Sequence, residues 1–235
     1  MRQRAADAVE MMDRPDCDPV KLERTYRQFG LVNRLFSGWR MLYVRELRPL
    51  MSPDQVTTVL DIGCGGGDVA RLLANWSARD KLKVEITGID PDERACAHAS
   101  RQAANPSVRF RQAASGDLVR EGRRYDVVIS NHVVHHLRPA ELAVVLADSQ
   151  KLAKRLSLHN DLRRSGAAYG LFALASLPFR GSFIRPDGLV SIRRSYKPAE
   201  LRAAAPPGWW VGPHSPFHMV LKHVPDNPLR TLADD

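Results

Sequence analysis

Two rhythms of apolar and polar positions alternate along this chain. From Val56 to Ile62 the residues are β-branched or aliphatic, broken only by Asp61, as in a strand buried on both faces. Gly63, Gly65, Gly66 and Gly67 follow at once, and helical spacing of apolar residues begins at Val69. The alternation then repeats. Lys83–Asp90 is a second strand, and Pro91-Asp92-Glu93 is a helix start, with proline first and acids in the first turn. Ser107–Arg111 is a third strand, followed by Ser115-Gly116-Asp117-Leu118, and Tyr125–Ser130 is a fourth. A helix over Ala140–Leu152 leads to a fifth strand at Leu156–Asn160. Strands separated by helices predict an α/β protein with a doubly wound, Rossmann-like parallel sheet.

The flanks are less regular. Leu22, Tyr26, Phe29, Val32, Leu35, Phe36, Trp39 and Leu42 recur at helical spacing between Val20 and Leu50. They predict an N-terminal helical extension over residues 1–50 that packs on the sheet. Residues 1–19 are polar, carry Pro15 and Pro19, and lack the apolar core of a signal peptide. Gly166–Phe179 is apolar but shorter than the ~20 residues of a membrane span, which suits a core helix or a lid. A loop carrying Arg180, Arg185, Arg193 and Arg194 is expected next, then a capped helix over Pro198–Ala205. Trp209–Val211 and Phe217–Lys222 read as a closing antiparallel hairpin with Gly212, Pro213 and Pro216 in its turn. The organisation expected is one main domain over 51–235, with 162–196 as an inserted lid over the substrate.

A strand, a glycine loop and a helix together form a site for a nucleotide-type cofactor, because glycine lets backbone approach a ligand and the helix points free N–H groups at it. The dinucleotide fingerprint fits poorly. Counted from Gly63, its third glycine falls on Asp68, and counted from Gly65, Asp61 and an extra Gly-Cys intrude at the strand end. A phosphate loop would need a Gly-Lys-Ser/Thr that is absent. A carboxylate at Asp61 would repel pyrophosphate and attract an ammonium group.

Asp61-x-Gly63-x-Gly65-x-Gly67 resembles the first motif of the class I S-adenosylmethionine-dependent methyltransferases, and the resemblance extends over residues 56–161. It implies a seven-stranded sheet with a C-terminal antiparallel hairpin, and S-adenosylmethionine as the cofactor. It further implies that Asp61 holds the amino end of the methionine moiety while Gly63, Cys64, Gly65 and Gly67 let that moiety lie on the backbone. Asp90 would accept from the ribose hydroxyls with Pro91 beside it, although N-capping the next helix is an ordinary role for the same residue. Asp117 with Leu118 would receive the adenine amino group, against the alternative of a plain Asx turn. Asn131 completes this set. The segment Asn131–Leu137 resembles the fourth motif of small-molecule methyltransferases related to quinone biosynthesis, and lacks the Asn-Pro-Pro-Tyr pattern of enzymes that methylate exocyclic or amide nitrogens.

Ligands of doubly wound sheets bind at the carboxyl ends of the strands, so His132, His135 and His136 are candidates for the base that deprotonates an acceptor hydroxyl. Packing is the alternative for each of them. His132 and His136 stand four residues apart but without an intervening acid, so no metal site is expected. Tyr26, with Asn33 and Arg40, is a candidate to roof the acceptor, and Arg193 and Arg194 to grip an anionic or carbonyl group on it.

Composition narrows the rest. The chain has 235 residues, 44% of them hydrophobic, enough for a full core. Cys17, Cys64 and Cys96 show no paired spacing, which fits the reducing cytoplasm rather than a disulfide framework. A net charge of +9 would suit an anionic partner, yet no nucleic-acid motif accompanies it. The expected activity is methyl transfer to a small aromatic or acyl acceptor, foremost O-methylation of a phenolic or polyketide-derived hydroxyl in secondary metabolism, by a monomer or homodimer. Carbon or carboxylate methylation is a second reading, and a module that binds cofactor or nucleic acid without transfer a third. Neither nucleic acid nor an integral membrane position is expected.

Overall fold

Asp18 starts the first long helix. Its carboxylate accepts from the backbone N–H groups of Val20 and Lys21, and Pro19 fills the first helical position, so α1 runs Pro19–Phe36. The computed structural model describes residues 1, 3–102 and 105–225, with backbone alone at 35 and 36. Leu35 and Phe36 of the predicted stripe, and residues 226–235, therefore lie outside the described residues. The stripe does not form one helix. Gly38 at φ 72° breaks it, and α2 (Trp39–Leu42) restarts after it and runs into a π-helical turn over Tyr43–Leu47.

Alternating elements follow: β1 (Thr57–Ile62), α3 (Asp68–Arg79), β2 (Val84–Asp90), α4 (Glu93–Arg101), β3 (Val108–Gln112), α5 (Ser115–Arg120), β4 (Tyr125–Asn131), α6 (Pro139–Leu152) and β5 (Ala153–Leu162). The last third adds α7 (Gly166–Ala175), α8 (Ile184–Arg194), α9 (Pro198–Ala204), β6 (Trp210–Ser215) and β7 (His218–His223). The strands form one sheet in the order β3-β2-β1-β4-β5-β7-β6. Pairing is parallel from β3 through β5 and antiparallel from β5 to β7 and β6.

Successive residues of β1 serve opposite faces. Val59 packs with Val69 and Leu73 of α3, together with Ile86, Val127 and Ile129. Leu60 packs on the other side with Ile89, Leu118, Val128 and Leu152. Each such side chain contributes ~1.5–3 kcal/mol by leaving water, so β1 is fixed at the centre and its carboxyl end cannot wander. No described helix is long and apolar enough to cross a membrane.

Three local expectations are corrected. The arginine-bearing segment after Arg180 is not a loop, because Ile184–Arg194 is helical. Gly212 and Pro213 lie within β6 rather than in the turn, which falls at Pro216-Phe217. The fourth helix starts at Glu93, capped by Asp92, so Pro91 precedes the helix and Asp90 is not its cap.

Candidate active site

The register of the sheet brings its acids and amides to one end. Asp61 sits opposite Gly88 and Ile129, Asp90 closes β2, and Asn131 of β4 lies opposite Asn160 of β5. This is the crevice where chain order reverses between β1 and β4.

The glycine loop turns through three left-handed residues, and two of them show why glycine is required. A Cβ on Gly63, at φ 67°, would lie 2.5 Å from Val133 Cγ2 in the segment after β4. A Cβ on Gly65, at φ 52°, would meet nothing within 4 Å, so this peptide faces open space. Beside it, Asp61 is 1% exposed and neither carboxylate oxygen has a hydrogen-bond partner. Burial, reinforced by Asp68 and Asp90, raises its pKa well above the usual carboxylate range. A buried orphan carboxylate is costly, and a cation brought to the open face of Gly65 would relieve it. The ammonium and sulfonium groups of S-adenosylmethionine supply that charge, so the residues present fit this cofactor.

Asp90 braces the loop. Its two oxygens accept from the N–H groups of Gly65 and Asp92, both at 2.9 Å. Each oxygen retains a lone pair that a ribose hydroxyl could use. Cys64 is buried, and Pro91 gives its carbonyl to Gln112. Asp117 accepts from the backbone N–H of Ala114 and pairs with Arg120 at the start of α5, while Leu118 is part of the core. Asp117 therefore has a structural duty at the start of α5, and Leu118 one in the core. Tyr26 packs on His98 and against the backbone of Gly66, beside the glycine loop. Arg40 lies over the rings of Tyr43 and Trp76, within the helical packing.

A chain of amides links the strands to α1. Asn160 donates to Asn131 Oδ1 (2.9 Å) and to the carbonyl of Ser37 (3.0 Å). Asn131 donates to Asn33 Oδ1 (3.3 Å), and Asn33 donates to Asp68 Oδ2 (2.7 Å). The end of β4 is thus tied to α1 and to the first residue of α3.

The three histidines differ sharply. His132 holds a left-handed φ of 58°, unusual for a side chain with a Cβ. Its ring is stacked on His218 at 5.6 Å between centroids, and burial with that neighbour pushes its pKa down to about 3. His135 is fully buried. Its Nδ1 lies 2.7 Å from Asp161 Oδ1, while Asp161 Oδ2 accepts from the His135 backbone N–H. Despite burial, Asp161 and Glu10 raise this imidazole to about 9, and Asp161 falls to about 2. His136 is partly exposed, with Nδ1 3.2 Å from Asp13.

Sequence reasoning missed Glu10. The carboxylate of this residue is 3% exposed. Its Oε1 accepts from the Ser191 hydroxyl (2.7 Å) and lies 3.4 Å from His135 Nε2 and 3.7 Å from His136 Nε2. Arg194 Nη1 stands 4.0 Å away. Arg194 thus lies beside Glu10, whereas neighbouring Arg193 is exposed on α8. Asp187, Ser191 and Arg194 share one helical face by their spacing, a signal that becomes visible only once the segment is read as a helix.

Residues 59–155 match a family model described as a methyltransferase domain. A ubiquinone biosynthesis O-methyltransferase of Bartonella tribocorum is 28% identical over 177 residues, covering 71% of this chain and 68% of that protein. A protein of the same name in Azorhizobium caulinodans is 29% identical over 68% of this chain, which spans 59% of its length, less than two thirds. Among solved structures, the plantazolicin methyltransferase BpumL with SAH superposes with a TM-score of 0.60 at 14% identity, over 88% of this chain and 96% of that one. Magnesium protoporphyrin IX methyltransferase from Synechocystis PCC 6803 with bound SAH gives 0.55 at 17% identity, over 92% and 91%. At these identities the two structures establish a shared fold.

Proposed function

We propose that the chain is a class I S-adenosylmethionine-dependent methyltransferase that methylates a hydroxyl of a phenolic or polyketide-derived small molecule, a reading supported by the methyltransferase-domain match over residues 59–155 and by the relatives named above. The observation that carries the proposal is the buried His135–Asp161 pair at the ends of β4 and β5, beside the glycine loop. When bound, S-adenosylmethionine supplies a methyl group activated on a sulfonium. Asp61 and the backbone around Gly65 would hold the cofactor's methionine end, and Asp90 would take the ribose. Asp161 fixes the His135 ring with Nδ1 inward, which leaves Nε2 as the atom that takes the acceptor's hydroxyl proton. His132 stays uncharged at neutral pH and offers a lone pair for alignment. Burial of His135 and Asp161 keeps water from that side of the crevice, which would favour a transfer in which opposite charges are neutralised. The names of the relatives, ubiquinone biosynthesis O-methyltransferases, support oxygen as the acceptor atom. Three free cysteines suit a reducing cytoplasm.

Carboxylate methylation is a second reading, favoured by the fact that the groups around Glu10 already hold a carboxylate. A tritiated-methyl assay over phenols, hydroxyquinones and aromatic acids, with mass spectrometry of each product, tests both. O-methyl phenols bear out the first reading and methyl esters the second. No transfer to any oxygen, with cofactor binding intact, would overturn both.

A further inference from the structure

Within residues 1–18, Glu10 is the one buried residue among those described, and Val9 and Met11 on either side of it are exposed. The segment crosses the crevice with almost no regular structure beyond a single turn at Met11–Asp13. Polar contacts hold most of it, with Arg94 donating to the carbonyls of Met12 and Arg14 and Met12 packed beside Leu22, Tyr26, Ala95 and Phe183. Asp187 accepts from the N–H groups of Met11 (2.7 Å) and Met12 (2.9 Å), and Ala5 N–H donates to the Arg193 carbonyl (3.0 Å). Arg4 donates to the carbonyls of His135 and Leu137 and lies 3.8 Å over the Tyr196 ring. The segment's one buried side chain among the described residues is nonetheless a carboxylate, and a buried charge is a poor source of stability.

The groups that Glu10 meets are those an acceptor needs. His135 Nε2, the face of the imidazole left free by Asp161, points at it, with His136 Nε2, the Ser191 hydroxyl and Arg194 completing the surround. We propose that the Glu10 carboxylate stands in for the anionic oxygen of the acceptor, and that residues 4–13 form a strap which the acceptor must displace from this nest. The nest takes a phenolate or carboxylate oxygen, gripped by Arg194 and Ser191 and set against the base. The inference rests on the oxygen-acceptor reading above. It adds a consequence for the chemistry. While Glu10 faces His135, two carboxylates hold that ring protonated, so it accepts no further proton. A neutral hydroxyl that replaces Glu10 removes one of them and frees the ring to take its proton, whereas an acceptor that arrives as phenolate or carboxylate keeps the ring protonated and pairs with it. The strap is an intramolecular competitor, and removing such a competitor tightens the external ligand by the factor with which it was occupied.

The test uses the full chain saturated with S-adenosylhomocysteine and two probes, benzoate and 4-nitrophenolate, measured by isothermal titration. Glu10→Ala is expected to tighten at least one probe by about tenfold, equivalent to about 1.4 kcal/mol, and Arg194→Ala to abolish that gain. Asp187→Asn leaves every group of the nest in place and loosens only the strap, so it should tighten the same probe even where the Glu10 variant folds poorly. In the parent, saturating probe should speed hydrogen exchange at the amides of Ala5, Met11 and Met12. Equal probe affinity in parent, Glu10→Ala and Asp187→Asn, with those amides still protected, would overturn the proposal. Because binding and exchange are read without transfer, a failed methylation screen with tightened binding would sink the oxygen-acceptor reading and leave the nest standing.

Discussion

At the scale of single residues, the unpaired carboxylate of Asp61 makes a sharp prediction. Its folded pKa is raised, so its contribution to cofactor-free stability is present below the unfolded value of 3.8 and lost as pH rises beyond it. Asp61→Asn should therefore melt at or above the parental temperature near pH 8 without cofactor. The same change should weaken S-adenosylhomocysteine binding by about 2–5 kcal/mol, the usual cost of truncating one partner of a desolvated pair. A lowered melting temperature with unchanged affinity in calorimetry would show Asp61 to be structural. Asp90 behaves differently, because its oxygens already hold Gly65 and Asp92. Asp90→Ala should lose about 1–3 kcal/mol of stability as well as cofactor affinity, since two backbone donors lose a charged acceptor. Asp61 and the glycines were legible in the sequence because their spacing has a local cause, the tight turn at the end of a strand. Glu10 was not, since nothing within residues 1–19 indicates that a carboxylate there will meet a histidine more than a hundred residues away.

At the scale of elements, the glycine loop and the segment after β4 act as one unit. Gly63→Ala would place a methyl 2.5 Å from Val133 and strain a backbone at φ 67°. We expect it to displace the loop that carries His135 and to lower both cofactor affinity and turnover, whereas Gly30→Ala, where a Cβ meets nothing within 4 Å, should preserve both. The start of α1 offers a milder test. Asp18→Ala removes the cap and should cost about 0.5–2 kcal/mol of stability, read by urea denaturation. The alternating core was readable because the central strands β1 and β4, buried along most of their length, give nearly continuous apolar runs. α8 was read as a loop because its arginines and Pro186 mask a helical period that only the face shared by Asp187, Ser191 and Arg194 reveals. The hairpin turn was misplaced because Gly212 and Pro213, ordinary turn residues, here sit in a strand with one unpaired edge.

For the whole molecule, opposing titrations define a pH window. Glu10 and Asp161 are depressed to about 2, so their stabilisation is present above their unfolded values and disappears as pH falls toward 2. His135, raised to about 9, stabilises below 6.5 and loses its contribution as pH climbs through 9. Asp61, Asp68 and Asp90, all raised, likewise favour the acid side. His132, His159 and His218, buried and depressed to about 3, 4 and 4, oppose these, because their contribution is present above 6.5 and lost as pH falls below it. The cofactor-free protein should thus melt highest near about pH 6.5. Added S-adenosylhomocysteine should raise the melting temperature most on the alkaline side, where Asp61 would otherwise be an uncompensated charge. A profile flat from pH 5 to 9 would contradict this assignment of charges. The margins of the sheet carry a separate consequence. One outer strand, β6, contains Pro213, which has no N–H to offer a newcomer, and the other, β3, alternates Arg109 and Arg111 along its length. Both borders thus resist strand addition, and crowded copies of this protein should remain separate sheets instead of fusing into a continuous aggregate ribbon.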